Sequence, residues 1–141
     1  MKTHPAHTEA TTVRQVFPSW SITIPATFTE DFVESDGYWH ARDADRSVSL
    51  SSVVITERDR PVRAEAILRQ MPPLLEGEAV AELPPGLLGW AVVADAPASA
   101  VASRMLSGIL VVDGRALIAT ITSDDLHWAR ETWLSIRNRR D

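Results

Sequence analysis

Histidine is the side chain best suited to acid–base work near neutral pH, and the chain carries four: His4, His7, His40 and His127. Only His40 belongs to a dense constellation, Tyr38-Trp39-His40 with Asp36, Asp43 and Asp45 close by. One of these aspartates orienting the imidazole would make a general base. The same residues can instead form a binding surface, because amphipathic aromatics and arginine are enriched at interaction hot spots. The plainest alternative is a half-buried strand bounded by turn aspartates. Strand alternation puts Trp39 and Ala41 on one face and Tyr38, His40 and Arg42 on the other. His127 and Glu131, at i and i+4, predict a surface ion pair. His4 and His7 lie in a polar leader and have, at most, weak affinity for a transition metal. Asp36, Asp43 and Asp45 do not follow the spacing of a calcium loop.

The sequence contains no G-x-S-x-G elbow, no H-E-x-x-H, no phosphate loop and no G-x-G-x-x-G. Without cysteine there is no thiolate nucleophile, disulfide or thiolate metal site. No metal or cofactor is therefore expected, and a non-enzymatic role is favoured over catalysis. Five tryptophans remain to be placed. Trp20 and Trp133 read as core. Trp39, Trp90 and Trp128 are less constrained, and any that is exposed would mark a partner surface. With His40 they form the candidate partner-binding set, Trp128 being the one expected to be most exposed.

The elements that must position these residues are organised around Val101 to Arg139. Asp113-Gly114 separates two apolar runs, SGILVV and RALIAT, which is a strong hairpin signal because both central residues of a type I′ turn need φ > 0. That turn pairs Val112 with Arg115, Leu110 with Leu117, Gly108 with Ala119 and Leu106 with Ile121 on the more apolar side. Val111–Ala116, Ile109–Ile118 and Ser107–Thr120 fall on the other side. An amphipathic helix follows, with Ser123 as expected N-cap and Asp124 and Asp125 in its first turn. Arg137, Arg139 and Arg140 belong to its end. Leu126, Ala129, Trp133 and Ile136 form its buried stripe.

Upstream, residues 1–12 read as a mobile polar tail and residues 13–141 as one domain. Val13 to Phe17 is a short strand, and Trp20, Ile22 and Ile24 alternate onto a buried face up to Pro25. Phe28 and Phe32, at i and i+4, suggest a helical turn or packed loop. SVSLSSVVITE is a strand whose pattern changes phase at Ser51-Ser52. That change fits a β-bulge or a strand end covered on both faces. Asp59 is the expected cap of a helix with Pro61 in its first turn, carrying Val62, Ala66 and Ile67 on its apolar side and stopped by Pro72-Pro73. A short strand within Glu78–Leu83 and a longer one in GLLGWAVVADA precede a turn at Pro97-Ala98-Ser99. Short connections imply antiparallel pairing. The fold class is thus α+β, an antiparallel sheet with helices packed on it and a C-terminal amphipathic helix.

The net charge of −5 argues against nucleic acid as a partner, since such affinity rests on phosphate neutralisation. The arginines mix with acids as on a solvated surface, and no apolar run approaches the ~20 residues of a membrane span. The leader MKTHPAHTEATT lacks the apolar region of a secretory signal, so the cytoplasm is the expected location.

SWSITIP, a strand pair ending VVITER, a helix leading into PP, the VVDGRALIATITS hairpin and a terminal W-x-x-I-R helix together resemble the PsbP-like fold. More narrowly they resemble small bacterial proteins of that fold, including chaperones associated with type VI secretion effectors. The resemblance covers roughly Val13 to Arg137 and is one of layout. It implies an adaptor, assembly factor or chaperone, and transfers no functional residue. The expectation is a non-catalytic module that binds another protein, or a second copy of itself. A carrier of a small apolar ligand in a pocket between sheet and helices, or a small enzyme around His40, are the alternatives.

Overall fold

The computed structural model describes residues 9–33, 37–70 and 77–139, with the side chains of residues 32 and 33 left aside. His4, His7, Asp36, Pro72-Pro73 and Arg140 lie outside the described residues. In chain order the elements are β1 (Thr11–Val16), β2 (Trp20–Pro25), β3 (Thr29–Val33), β4 (Tyr38–Arg42), β5 (Ser47–Val54), β6 (Thr56–Glu57), β7 (Arg60–Pro61) and α1 (Ala64–Gln70). Then come β8 (Glu78–Ala79), β9 (Leu88–Asp95), β10 (Arg104–Val112), β11 (Arg115–Thr122), α2 (Leu126–Leu134) and β12 (Arg137–Asn138). A seven-stranded sheet runs β3-β4-β5-β11-β10-β9-β8, a three-stranded sheet runs β1-β2-β12, and β6-β7 is a separate hairpin. Every strand pair is antiparallel. The α+β class with antiparallel sheets therefore holds.

The β10–β11 register is the one its Asp-Gly turn dictates, with Leu110 opposite Leu117 and Leu106 opposite Ile121. The front face so defined is the main core. Leu106, Leu110, Leu117, Ala119 and Ile121 pack with Val48, Leu50, Trp39 and Ala41 against Trp20, Ile22 and Ile24 of β2 and Ala129 and Trp133 of α2. Gly108 lets α2 come close: a Cβ there would sit 2.7 Å from the far ring atom of Trp133 and 2.6 Å from the Trp90 carbonyl oxygen. The Trp133 indole N–H donates to the Glu82 carbonyl at 3.0 Å. At one end of the back face, Ile109, Val111 and Ala116 bury a second, smaller cluster under Ala64 and Ile67 of α1.

Several sequence expectations are corrected. Asp125, not Ser123, caps α2: its Oδ1 accepts from the backbone N–H of His127 at 3.0 Å and of Trp128 at 3.2 Å. Ser123 is buried and opens the turn by accepting from the Asp125 N–H, while Asp124 accepts from Ser103. The helix stops at Leu134, so Arg137 is in a strand and not in the last helical turn. Ser135 Oγ accepts from the Thr23 N–H, and Arg137-Asn138 then pairs with Ser21-Trp20 of β2. Arg137 still reaches back to donate to the Leu134 carbonyl at 2.6 Å, as a cation at a helix C-terminus does.

Asp59 caps no helix, because Arg60-Pro61 is extended; the N–H of Ala64 donates instead to Asp113 Oδ1, 2.8 Å away in the β10–β11 turn. Phe32 lies in edge strand β3, not in a helical turn, while Phe28 precedes that strand as a buried loop residue whose N–H donates to the Pro25 carbonyl. No bulge interrupts β5, whose register with β11 is unbroken. Its phase change arises because the strand outruns the core. Val54 continues the core face and is 68 % exposed, while Val53 sits on the back face. Thr11 and Thr12, read as tail, belong to β1.

Candidate functional site

The back face of the seven-stranded sheet divides in two. Where β9, β10 and the start of β11 present Trp90, Ile109, Val111 and Ala116, α1 packs on them. Toward β3, β4 and β5 the alternation brings up Asp31, Tyr38, His40, Arg42, Ser49 and Ser51, and β11 adds Ile118 and Thr120. That half is open. Ile118 is 42 % exposed and Val53 41 %, Asp31 and Arg42 are exposed, and Tyr38, His40, Ser49 and Ser51 are half-buried by one another.

The centre of this half is a stack. The Tyr38 and His40 rings, two residues apart on β4, lie 6.3 Å apart and 8° from parallel. The Tyr38 hydroxyl donates to Ser49 Oγ at 3.1 Å, which holds the phenol across to β5. Asp31 is the register partner of His40 on β3. Partial burial pushes the His40 imidazole below its ordinary range, helped by the Arg42 cation and opposed by Asp31. His40 is thereby biased toward its neutral form, with one nitrogen donating and one accepting.

The residues singled out from the sequence fall in different places. His40 is on the open face. Trp39, beside it in sequence, points to the opposite side and is 2 % exposed, its indole N–H donating to Glu30 at 3.0 Å, so its ring cannot meet a partner in this fold. Trp90 is half-buried against the α1 cluster. Trp128, expected to be the most exposed, is half-buried as well. It packs tilted on Phe28 with ring centroids 5.9 Å apart, and the Arg46 guanidinium lies 4.9 Å above it. Being off the helix stripe places Trp128 at the rim of the core, where a cation covers it.

The turn aspartates are also accounted for. Asp43 Oδ1 accepts from the N–H groups of Asp45 and Arg46, and its Oδ2 takes Arg46 Nη2 at 2.7 Å. Glu9 grips the same guanidinium with both oxygens, at 2.9 and 2.8 Å. Burial pushes Asp43 up, but Arg46 and the two backbone N–H groups outweigh it and hold its carboxyl below the usual range. The hydrogen bond from Arg46 holds Glu9 low too. This clamp ties the residues preceding β1 to the β4–β5 turn and belongs to the architecture. His127 and Glu131 form the exposed pair their spacing implies, at 3.7 Å.

Among the described residues, no group of three His, Cys, Asp or Glu side chains is placed to hold a metal ion. No helix among them is long and apolar enough to cross a membrane. The open face could not be read from sequence alone, because Ile118 and Val53 are ordinary strand residues until the sheet order shows that α1 covers only one end. The chain matches no family model and no curated protein.

Proposed function

We propose that this chain is a non-catalytic protein-binding module whose partner lies on the open half of the back face. The observation that carries this reading is the combination on one flat surface of Ile118 and Val53, both more than 40 % exposed, with the Tyr38–His40 stack and the hydroxyls of Ser49 and Ser51. Exposed aliphatic side chains beside rigid aromatics with polar tips are the chemistry of an interaction hot spot. The partner this suits presents an apolar side chain over Ile118 and Val53 and hydrogen-bonding groups over β4 and β5. An adaptor or chaperone role of the kind implied by a PsbP-like layout is compatible with such a surface.

His40 supports binding better than catalysis. It sits on a flat sheet face beside Tyr38, and Asp43 of the expected acid–base set is engaged by Arg46. The carrier reading has less room beside α2, whose seam with the sheet at Gly108 is filled. Ile118→Asp tests the proposal. Placed on an exposed strand position, it should leave the circular dichroism spectrum and melting curve intact while abolishing co-purification of the wild-type partner. A folded Ile118→Asp protein that retains that partner would refute the surface. Sedimentation of both forms separates a second copy of this chain from a different protein.

A further inference from the structure

We propose that the concavity between the β6–β7 hairpin and α1 is a phosphate site that takes a multiply charged phosphate anion. This inference does not depend on the open-face reading. The concavity has a volume of about 710 Å³ and is lined by Arg58, Arg60 and Arg63 from the hairpin side and by Gln70 from α1, with Glu57 the one carboxylate among the described residues of its wall. Three guanidiniums against one carboxylate is a local excess of positive charge on a chain with 19 acidic and 14 basic residues. Asp59, at the turn tip, and Glu65, on α1, are not part of the lining.

Among the described residues neither Arg58 nor Arg60 has an ion-pair partner, and Arg63 reaches Glu65 only at 4.0 Å. Unpaired cations gathered on one surface repel, and an anion between them removes that repulsion. Guanidinium forks match the oxygen geometry of phosphate, which a halide lacks.

The frame that holds these arginines is rigid. The Val62 N–H donates to the Ile55 carbonyl at 3.1 Å, closing the base of the hairpin. Gly114 then bridges both of its ends, donating to the Val62 carbonyl at 2.7 Å and accepting from the Ile55 N–H at 2.8 Å. The two-residue turn has φ +54° at Arg58 and +65° at Asp59, the left-handed region where asparagine and glycine are favoured. Strain of this kind persists where surrounding structure enforces it, and it recurs at ligand sites. Here it fixes the backbone of Arg58 in the wall of the concavity.

The test is a titration of the full chain with pyrophosphate, followed through the arginine Nε–H resonances by NMR at constant ionic strength set with chloride. Saturable shifts are expected at Arg58, Arg60 and Arg63. The exposed double variant R58A/R60A should weaken binding by about tenfold or more for each charge-assisted contact removed. Flotation with phosphatidylcholine vesicles carrying phosphatidylinositol bisphosphate identifies the source. Retention at lower phosphate concentration than pyrophosphate requires means a lipid headgroup; its absence beside pyrophosphate binding means a soluble anion. The proposal is overturned if pyrophosphate saturates none of the three resonances, or binds R58A/R60A as well as the wild type.

Discussion

Replacing Gly108 by alanine probes the seam between α2 and the sheet and, with it, the argument that no ligand fits there. The added methyl would lie 2.6 Å from the Trp90 carbonyl oxygen, 2.7 Å from the Trp133 ring and 2.8 Å from the Ala91 Cβ. Two of these neighbours belong to β9, paired to β10 along its length, and the third is wholly buried. None can retreat without moving a strand or a helix. Lower backbone entropy in the unfolded chain favours alanine by about 0.5–1 kcal/mol. Overpacking opposes it by about 1–3 kcal/mol, and three simultaneous contacts place this site at the upper end. The expected net loss is about 2 kcal/mol, or roughly 5–10 °C in Tm for a domain of this size. Differential scanning calorimetry measures it. Because one clash is with the far ring atom of Trp133, Gly108→Ala should cost less in a Trp133→Phe background, with a coupling of at least about 0.5 kcal/mol. Wild-type stability for Gly108→Ala, or strict additivity with Trp133→Phe, would show that space exists there and return the carrier reading to contention.

Three further outcomes follow from the electrostatics and the turns. Glu9 and Asp43 are held below their ordinary values of 4.5 and 3.8 by Arg46, so their contribution is present above those values and is lost as pH falls through the lower folded ones. Urea unfolding should show a weaker acid-induced loss in Arg46→Gln, whose cost at neutral pH is about 0.5–1 kcal/mol for a partly exposed clamp; an unchanged pH profile contradicts the clamp. The His40 titration, read by NMR, should move further down in Asp31→Asn and back up in Arg42→Gln, because each removes one of the two opposing charges. The reverse order would place the imidazole elsewhere. Arg58→Asn with Asp59→Gly, the residues a type I′ turn favours, should raise stability by about 0.5–1 kcal/mol while weakening the phosphate site; a drop in Tm would mean the turn is not strained.

What the sequence disclosed, and what it withheld, has a common physical origin. Asp113-Gly114 specifies a local turn, and a turn sets register for the whole hairpin, so the pairing of Leu106 with Ile121 at the far end of the strands was legible. Trp20, Ile22 and Ile24 were legible because strict alternation admits one buried face. The misread features depend on distant partners. The cap on α1 comes from Asp113, 49 positions downstream. The end of α2 is set by β2, which draws Arg137 and Asn138 into pairing. The segment ending in β3 has Phe28 and Phe32 at a spacing that suits a helical turn equally well, and only the neighbouring β4 decides it as a strand. Trp128 sits off the helical stripe as expected, yet Arg46 and Phe28 from elsewhere in the chain cover it. For the candidate sites, periodicity put Tyr38 and His40 on one face, but not the limited reach of α1 that leaves this face open. Arg58, Arg60 and Arg63 are interspersed with Glu57, Asp59 and Glu65 along the sequence, which hides their convergence on one concavity.

The most direct test of the open face as a docking surface is site-specific photo-crosslinking in cells of the source organism. A benzophenone amino acid is placed at Ile118 and, as control, at Val13, which is 63 % exposed on the three-stranded sheet. A discrete adduct from position 118, absent from position 13 and lost when Tyr38→Ala is added, is the predicted result. No adduct at 118, or one formed equally at 13, would contradict the account.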